Sequence, residues 1–153
     1  VSKWEDYTGE PADVVFGYNC FYRMKDIEGC LAKFHQIGSK LHIMGMTSGP
    51  EQEYYPVLEK ELGLEINYHR LDYIFLLDIL YLQGIDCNVK IVPLVRDYAY
   101  GDFTSACNAV FGRILTESFD TKAAGEILAQ YICREDDGRW HYRHHFRAAI
   151  LYW

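Results

Sequence analysis

The sequence predicts an α/β layer fold, and three observations carry that prediction. Apolar runs of strand length alternate with segments of helical period, the order expected of a parallel sheet with right-handed crossovers. Asp26, Asp102 and Asp120 stand where helices should begin. Gly38, Gly63 and Gly84 stand where helices should stop.

The elements follow in chain order. Val1 to Pro11 is a polar approach whose Trp4 is expected to pack on the domain edge. Asp13 to Tyr18 reads as the first strand, and its unbroken Val14, Val15 and Phe16 suit a strand covered on both faces. Gly17 allows close backbone approach, and Tyr18, Asn19, Cys20 and Tyr22 fall at the carboxyl end, where open α/β sheets hold their ligands. Asp26 caps a helix over Ile27 to Ile37, with Ile27, Leu31 and Phe34 on one face. Lys40 to Met46 is the second strand, and Pro50 is placed to open a helix running from Glu51 to Leu62. Leu71 to Leu82 is apolar nearly all round, with Asp78 interrupting it, the pattern of a helix that is either buried or laid over a cavity. Cys87 to Val95 is the third strand, and Pro93 implies an edge, a bulge or the strand's end. Two more helices are expected over Phe103 to Leu115 and Thr121 to Cys133. The turn Asp136, Asp137, Gly138 leads to a last strand, His145 to Trp153.

Composition narrows the function classes. With 153 residues, half of them apolar, the chain can bury one core and reads as a single domain. Fifteen basic against 22 acidic residues leave a formal charge of −7, which gives no electrostatic reason for nucleic acid or an anionic membrane and favours small-molecule or protein partners. Five dispersed cysteines without a CxxC pair read as reduced thiols of a cytoplasmic protein. No apolar run is long enough to span a bilayer, and no signal peptide is evident. A start at Val1 rather than Met leads us to expect a piece of a longer protein.

Phosphate cradles, a nucleophile elbow and a helical zinc site leave no motif in this sequence. His141, His144 and His145, interleaved with Arg139, Arg143 and Arg147, are the densest set of imidazoles. With cations crowding them and neither carboxylate nor thiol at ligand spacing, a solvated strand start is expected there and no metal. Cys20 reads as a small buried side chain rather than a nucleophile served by His35 or His42.

The succession WEDYTGEPADVVFGYNCFYRMKDIEGCLAKFHQIGSKLHIMGMTSGP resembles the second half of a class I S-adenosylmethionine-dependent methyltransferase, from after the third strand of its Rossmann-like sheet to the end of the fifth. NVKIVPL and AAILYW are similar to the sixth and seventh strands of bacterial members with extra helices between them. The resemblance implies a partial sheet of strands corresponding to the fourth to seventh, with the last strand antiparallel and inserted between its two predecessors. It implies that Trp4, Glu5 and Asp6 lie against the adenine and that Tyr18, Asn19 and Cys20 lie beside the methionine portion. Tyr22 falls toward the methyl acceptor, with Tyr68, His69 and Tyr73 in a lid completed by the apolar helix. The family's glycine-rich loop and its ribose-binding acid have no counterpart in these residues, so the half represented is the acceptor side, inactive alone and a weak binder of the cofactor. Methyl transfer from a sulfonium rests on in-line positioning, and no base is named. The alternative is a non-catalytic binding or interaction domain with half the fold. A first strand left without its usual neighbour exposes an edge from Asp13 to Tyr18, which is expected to pair with a second copy in a two-fold dimer.

Overall fold

The computed structural model describes residues 3–21, 24–68 and 72–153. Among them lie strands β1 (Ala12–Tyr18), β2 (Gly38–Ser48), β3 (Asn88–Tyr100), β4 (Cys133–Arg134) and β5 (Trp140–Tyr152). Helices α1 (Ile27–Ile37), α2 (Tyr54–Leu62), α3 (Tyr73–Leu82), α4 (Phe103–Phe111) and α5 (Thr121–Leu128) join them. The sheet order is β1-β2-β5-β3, with β4 paired to β5. That is the first, second, last, third order expected from the sequence. The chain divides into two compact units, one of Val1–Gly49, Leu71–Pro93 and Arg147–Trp153, the other of Pro50–Arg70 and Leu94–Phe146.

In the first unit β1 lies parallel to β2, and β2 lies antiparallel to β5 through Ile43↔Tyr152 to Ser48↔Arg147. Helix α1 begins where Asp26 accepts a hydrogen bond from the Gly29 N–H at 2.9 Å, which satisfies one of the donors a helix leaves open at its start. Cys30, Leu31 and Phe34 form its buried stripe. The core under the sheet gathers Val15, Phe21, Leu31, Phe34, Met44, Met46, Leu76, Leu80, Ala149 and Leu151. The outward face of β1 is bare. Val14 is 51% exposed and Phe16 65%, and Tyr18 and Tyr152 are also exposed, which corrects the expectation of a strand covered on both sides. The VVF run does not alternate in sequence, but a pleated strand still alternates its side chains, so only Val15 and Gly17 turn inward. The register of β1 against β2 shifts at a bulge between Ala12 and Val14. Helix α3 is a cover rather than a buried rod, because Leu76 and Leu80 face the core while Ile74, Tyr81 and Leu82 are exposed.

The second unit is built on tyrosine. Tyr54, Tyr55 and Tyr142 are buried with Leu58, Leu64, Ile66, Val110, Leu128 and Ile132. Helix α2 starts at Tyr54 rather than beside Pro50, and it ends at Gly63, whose φ of 64° is a left-handed stop that glycine adopts without strain. The expected helices to Leu115 and Cys133 end earlier, at Phe111 and Leu128, although Asp102 and Asp120 cap them as expected. Beyond them Ile66 and Ile114 form an isolated bridge, and Cys133 and Arg134 pair with His141 and Trp140. Asp97 meets His141, and Arg139 donates to the Ala99 carbonyl, so β3 and β5 run antiparallel there. Strand β3 continues through Pro93 because it sits at a sheet edge, where a missing N–H costs no ladder bond.

Candidate functional site

The parallel strands β1 and β2 of the first unit end together, and their carboxyl ends carry two polar pairs. Asn19 takes the left-handed conformation, φ 51°, and its side-chain oxygen accepts a hydrogen bond from the Thr47 N–H at 2.8 Å. Its own N–H reaches the Gly45 carbonyl at 2.8 Å. The Ser48 hydroxyl donates to the Asp72 carboxylate, 3.0 Å from each oxygen. Past these pairs the chain turns so that Phe21 packs over Gly17, where a Cβ would stand 2.8 Å from the ring and 3.0 Å from the Cys20 sulfur. That contact explains why the strand ends its inward face on glycine.

Three hollows open around this point and share Met24. The first is an apolar chamber of about 190 Å³ walled by Phe21, Met24, Ile27, Met46, Phe75, Leu76 and Ile79, with Asp72 its one charged residue. The second is an open cleft of about 630 Å³ lined by Lys3, Trp4, Glu5, Asp6, Cys20, Lys25 and Asp26. A smaller hollow of about 130 Å³ reaches Val15, Gly17 and Phe34 between them.

The structure thus brings Trp4, Glu5, Asp6 and Cys20 to one cleft. Trp4 is also a packing residue, since its indole N–H donates to the Cys30 carbonyl at 3.1 Å and Tyr7 stacks on it at 5.6 Å. The Lys33 ammonium fixes this segment by donating to the carbonyls of Trp4, Glu5 and Tyr7. Asn19 is engaged with β2, and Tyr18 turns to the bare sheet face, its ring over Gly45. Tyr73 packs on the core of the first unit. Tyr68 belongs to the second unit, where its hydroxyl donates to Glu59 at 2.6 Å. Tyr22 and His69 lie outside the described residues. Cys20 is exposed rather than the buried side chain expected from sequence, but partial desolvation raises its thiol above the ordinary value, which keeps it protonated and works against a nucleophile's role. His35 and His42 are occupied: Trp153 donates to His35 Nδ1 at 3.0 Å, and His42 Nε2 donates to the His35 carbonyl at 2.9 Å. Sequence reasoning missed Asp72 and the chamber walls from Phe21, Met24 and Met46. The all-round apolarity of α3 was the available signal, since one reading of it was a helix over a cavity.

The histidine run is not the solvated strand start expected from sequence, because His141 and His144 are buried. His144 Nε2 donates to the Pro50 carbonyl at 3.0 Å. His141 is clamped between Asp97 on Nδ1 at 2.9 Å and Asp137 on Nε2 at 3.1 Å. The hydrogen bond to Asp97 raises the imidazolium above its ordinary 6.5 against the opposing effect of burial, with Asp137 adding to the rise. Asp137 is held below its ordinary 3.8 by the Arg139 N–H first and by His141 after it. Folded-state elevation means that the His141 contribution to stability is complete below pH 6.5 and lost as pH rises through the higher folded value. Depression of Asp137 means that its contribution is complete above pH 3.8 and lost as pH falls through the lower folded value. Urea midpoints should therefore plateau between those limits and decline on the alkaline side, and His141→Gln should flatten that decline.

No protein-family profile matches the chain, and no curated protein matches it. A crystal structure from Bacillus halodurans C-125, provisionally named a methyltransferase, is similar over 99% of this chain and 68% of its own length, at 14% identity and a TM-score of 0.49. A likeness of that size adds no functional argument. Among the described residues no helix is long and apolar enough to cross a membrane.

Proposed function

We propose that the chain is the acceptor-side half of an S-adenosylmethionine-dependent methyltransferase, with β1, β2, β3 and β5 in the places of the family's fourth to seventh strands. The supporting observation is the pair of hollows at the carboxyl ends of the two parallel strands, one polar and open, one apolar and small, with Met24 in both walls. Ligands of open α/β sheets bind at such ends. In the polar cleft Glu5 and Asp6 offer carboxylates to an exocyclic amine, and Trp4 offers an aromatic surface that Tyr7 already shares. Those residues fit the base portion of the cofactor. Among the described residues no glycine-rich loop adjoins the cleft to cradle the ribose and methionine portion, so the fit is partial. When bound, the cofactor supplies a methyl group on a sulfonium, and this chain's part is to orient the acceptor and exclude water.

Calorimetric titration with S-adenosylmethionine tests the reading. The intact parent protein is expected to bind, and the 153-residue chain to bind weakly or not at all. Micromolar binding by the chain would overturn the half-site account. An intact protein that binds none would assign the chain to the other class, a non-catalytic binding domain.

The edge strand gives the same reading a partner. Strand β1 has β2 on one side and ends the sheet on the other, and past the bulge Val14 to Tyr18 is regular. Antiparallel pairing of two copies would satisfy the outward N–H and C=O groups and keep Val14 and Phe16 on one face. Size-exclusion chromatography with light scattering should give a mass near twice 17.9 kDa. A monomer across the micromolar range would remove the dimer from the account.

A further inference from the structure

The apolar chamber has the chemistry of a specific class of acceptor. Its walls are hydrocarbon, thioether and phenyl, and Asp72 is the single charged group among the lining residues. Asp72 stands at the N-cap of α3, yet its side chain makes no capping bond to the helix N–H groups. Among the described residues the donor it receives is the Ser48 hydroxyl, which has one proton to share between two carboxylate oxygens. Ser48 is buried and fixes the carboxylate in place. The acceptor capacity left on Asp72 therefore borders a pocket whose lining, among the described residues, supplies no donor side chain of its own. A carboxylate so placed gains most from a ligand that brings N–H groups and positive charge to it, while the walls gain from a hydrophobic body. A chain with a formal charge of −7 favours a cation over an anion in the same sense.

Size limits the body. A dry cavity of roughly 150 Å³ lined by Leu, Ile and Phe takes up benzene, so about 190 Å³ holds one ring with a short side arm. We propose that the chamber walled by Phe21, Met46, Phe75 and Ile79 binds a compact hydrophobic amine, its ammonium on Asp72 and its ring or chain in the pocket. The proposal rests on the acceptor-side reading above and gives that acceptor a chemical class.

The test uses the 153-residue chain with 2-phenylethylamine as the probe and propylbenzene as its neutral counterpart, and contains no S-adenosylmethionine. Its failure is thus distinct from failure of the cofactor titration. The three methionines give a local readout, because Met24 and Met46 line the chamber and Met44 does not. With ¹³C-methyl methionine, assigned by Met→Leu variants, the Met24 and Met46 signals are expected to move with the amine while Met44 stays. Asp72→Asn should weaken the amine roughly ten- to hundredfold, the range for losing a charged hydrogen bond, and leave propylbenzene unchanged. Ile79→Trp, checked for retained circular dichroism, should remove both by filling the space. No movement of the Met24 and Met46 signals, equal binding of amine and hydrocarbon, or an Asp72→Asn variant that binds the amine as well as the native chain would each overturn the proposal.

Discussion

Leu31→Ala is expected to lower the stability of the first unit by roughly 2–5 kcal/mol, the range for truncating a buried leucine. Leu31 is fully buried and lies at the centre of the stripe that α1 presents to β1 and β2. Two terms add in that loss. The missing methyl groups no longer leave water, and the helix, fixed at its start by Asp26 and tied through Lys33 to the carbonyls of Trp4, Glu5 and Tyr7, has little freedom to close the void. Urea unfolding followed by tryptophan fluorescence measures it, since Trp4 and Trp153 both pack on the same core. Gln36→Ala, on the exposed side of the same helix, should stay within about 0.5 kcal/mol and serves as the control. A Leu31→Ala variant as stable as that control would show that α1 does not depend on the packing described.

Gly17→Val carries the second large effect, a loss of roughly 1–3 kcal/mol typical of overpacking. The first added carbon already stands 2.8 Å from the Phe21 ring and 3.0 Å from the Cys20 sulfur, and valine adds two more. Phe21 cannot yield freely, because it is buried in the core and meets Phe34 edge to face at 6.2 Å. Phe21 shares the walls of the chamber with Met24, so its displacement is read at that methionine. The variant should therefore lose stability and shift the Met24 methyl resonance together. A stability loss with Met24 unmoved would place the strain elsewhere.

What was legible in the sequence is what local chemistry decides. Asp26, Asp102 and Asp120 cap helices because an aspartate before a helical period has few better uses, and Gly63 marks its stop because few other residues accept that backbone. The strand order followed from crossover lengths together with the resemblance. Features made by distant partners were not legible. The clamp on His141 needs Asp97 from 44 residues earlier, and the pairing of Ser48 with Asp72 joins groups 24 apart. Strand β4, two residues long, carries no pattern at all. Helix ends were overestimated where the sequence stayed apolar, since Ile114 and Ile132 are buried or half-buried outside any helix and look the same in either setting. The bare face of β1 was misread for a like reason: Val14 and Phe16 have the same composition whether a neighbour covers them or water does.

That wet face has a calorimetric consequence. The heat capacity of unfolding comes mainly from apolar surface that meets water for the first time, and a chain of this length would ordinarily show roughly 2 kcal/mol/K. Val14, Phe16, Tyr18 and Tyr152 are already partly hydrated in the folded chain, so part of their share is missing from the increment. A monomeric preparation should fall below the usual figure and show a correspondingly shallow dependence on urea. The stability curve of such a protein is flatter, with less to lose on cooling. Covering the face by any occupant would restore the missing heat capacity, so the size of the increment at increasing protein concentration reports directly whether that surface has found a neighbour.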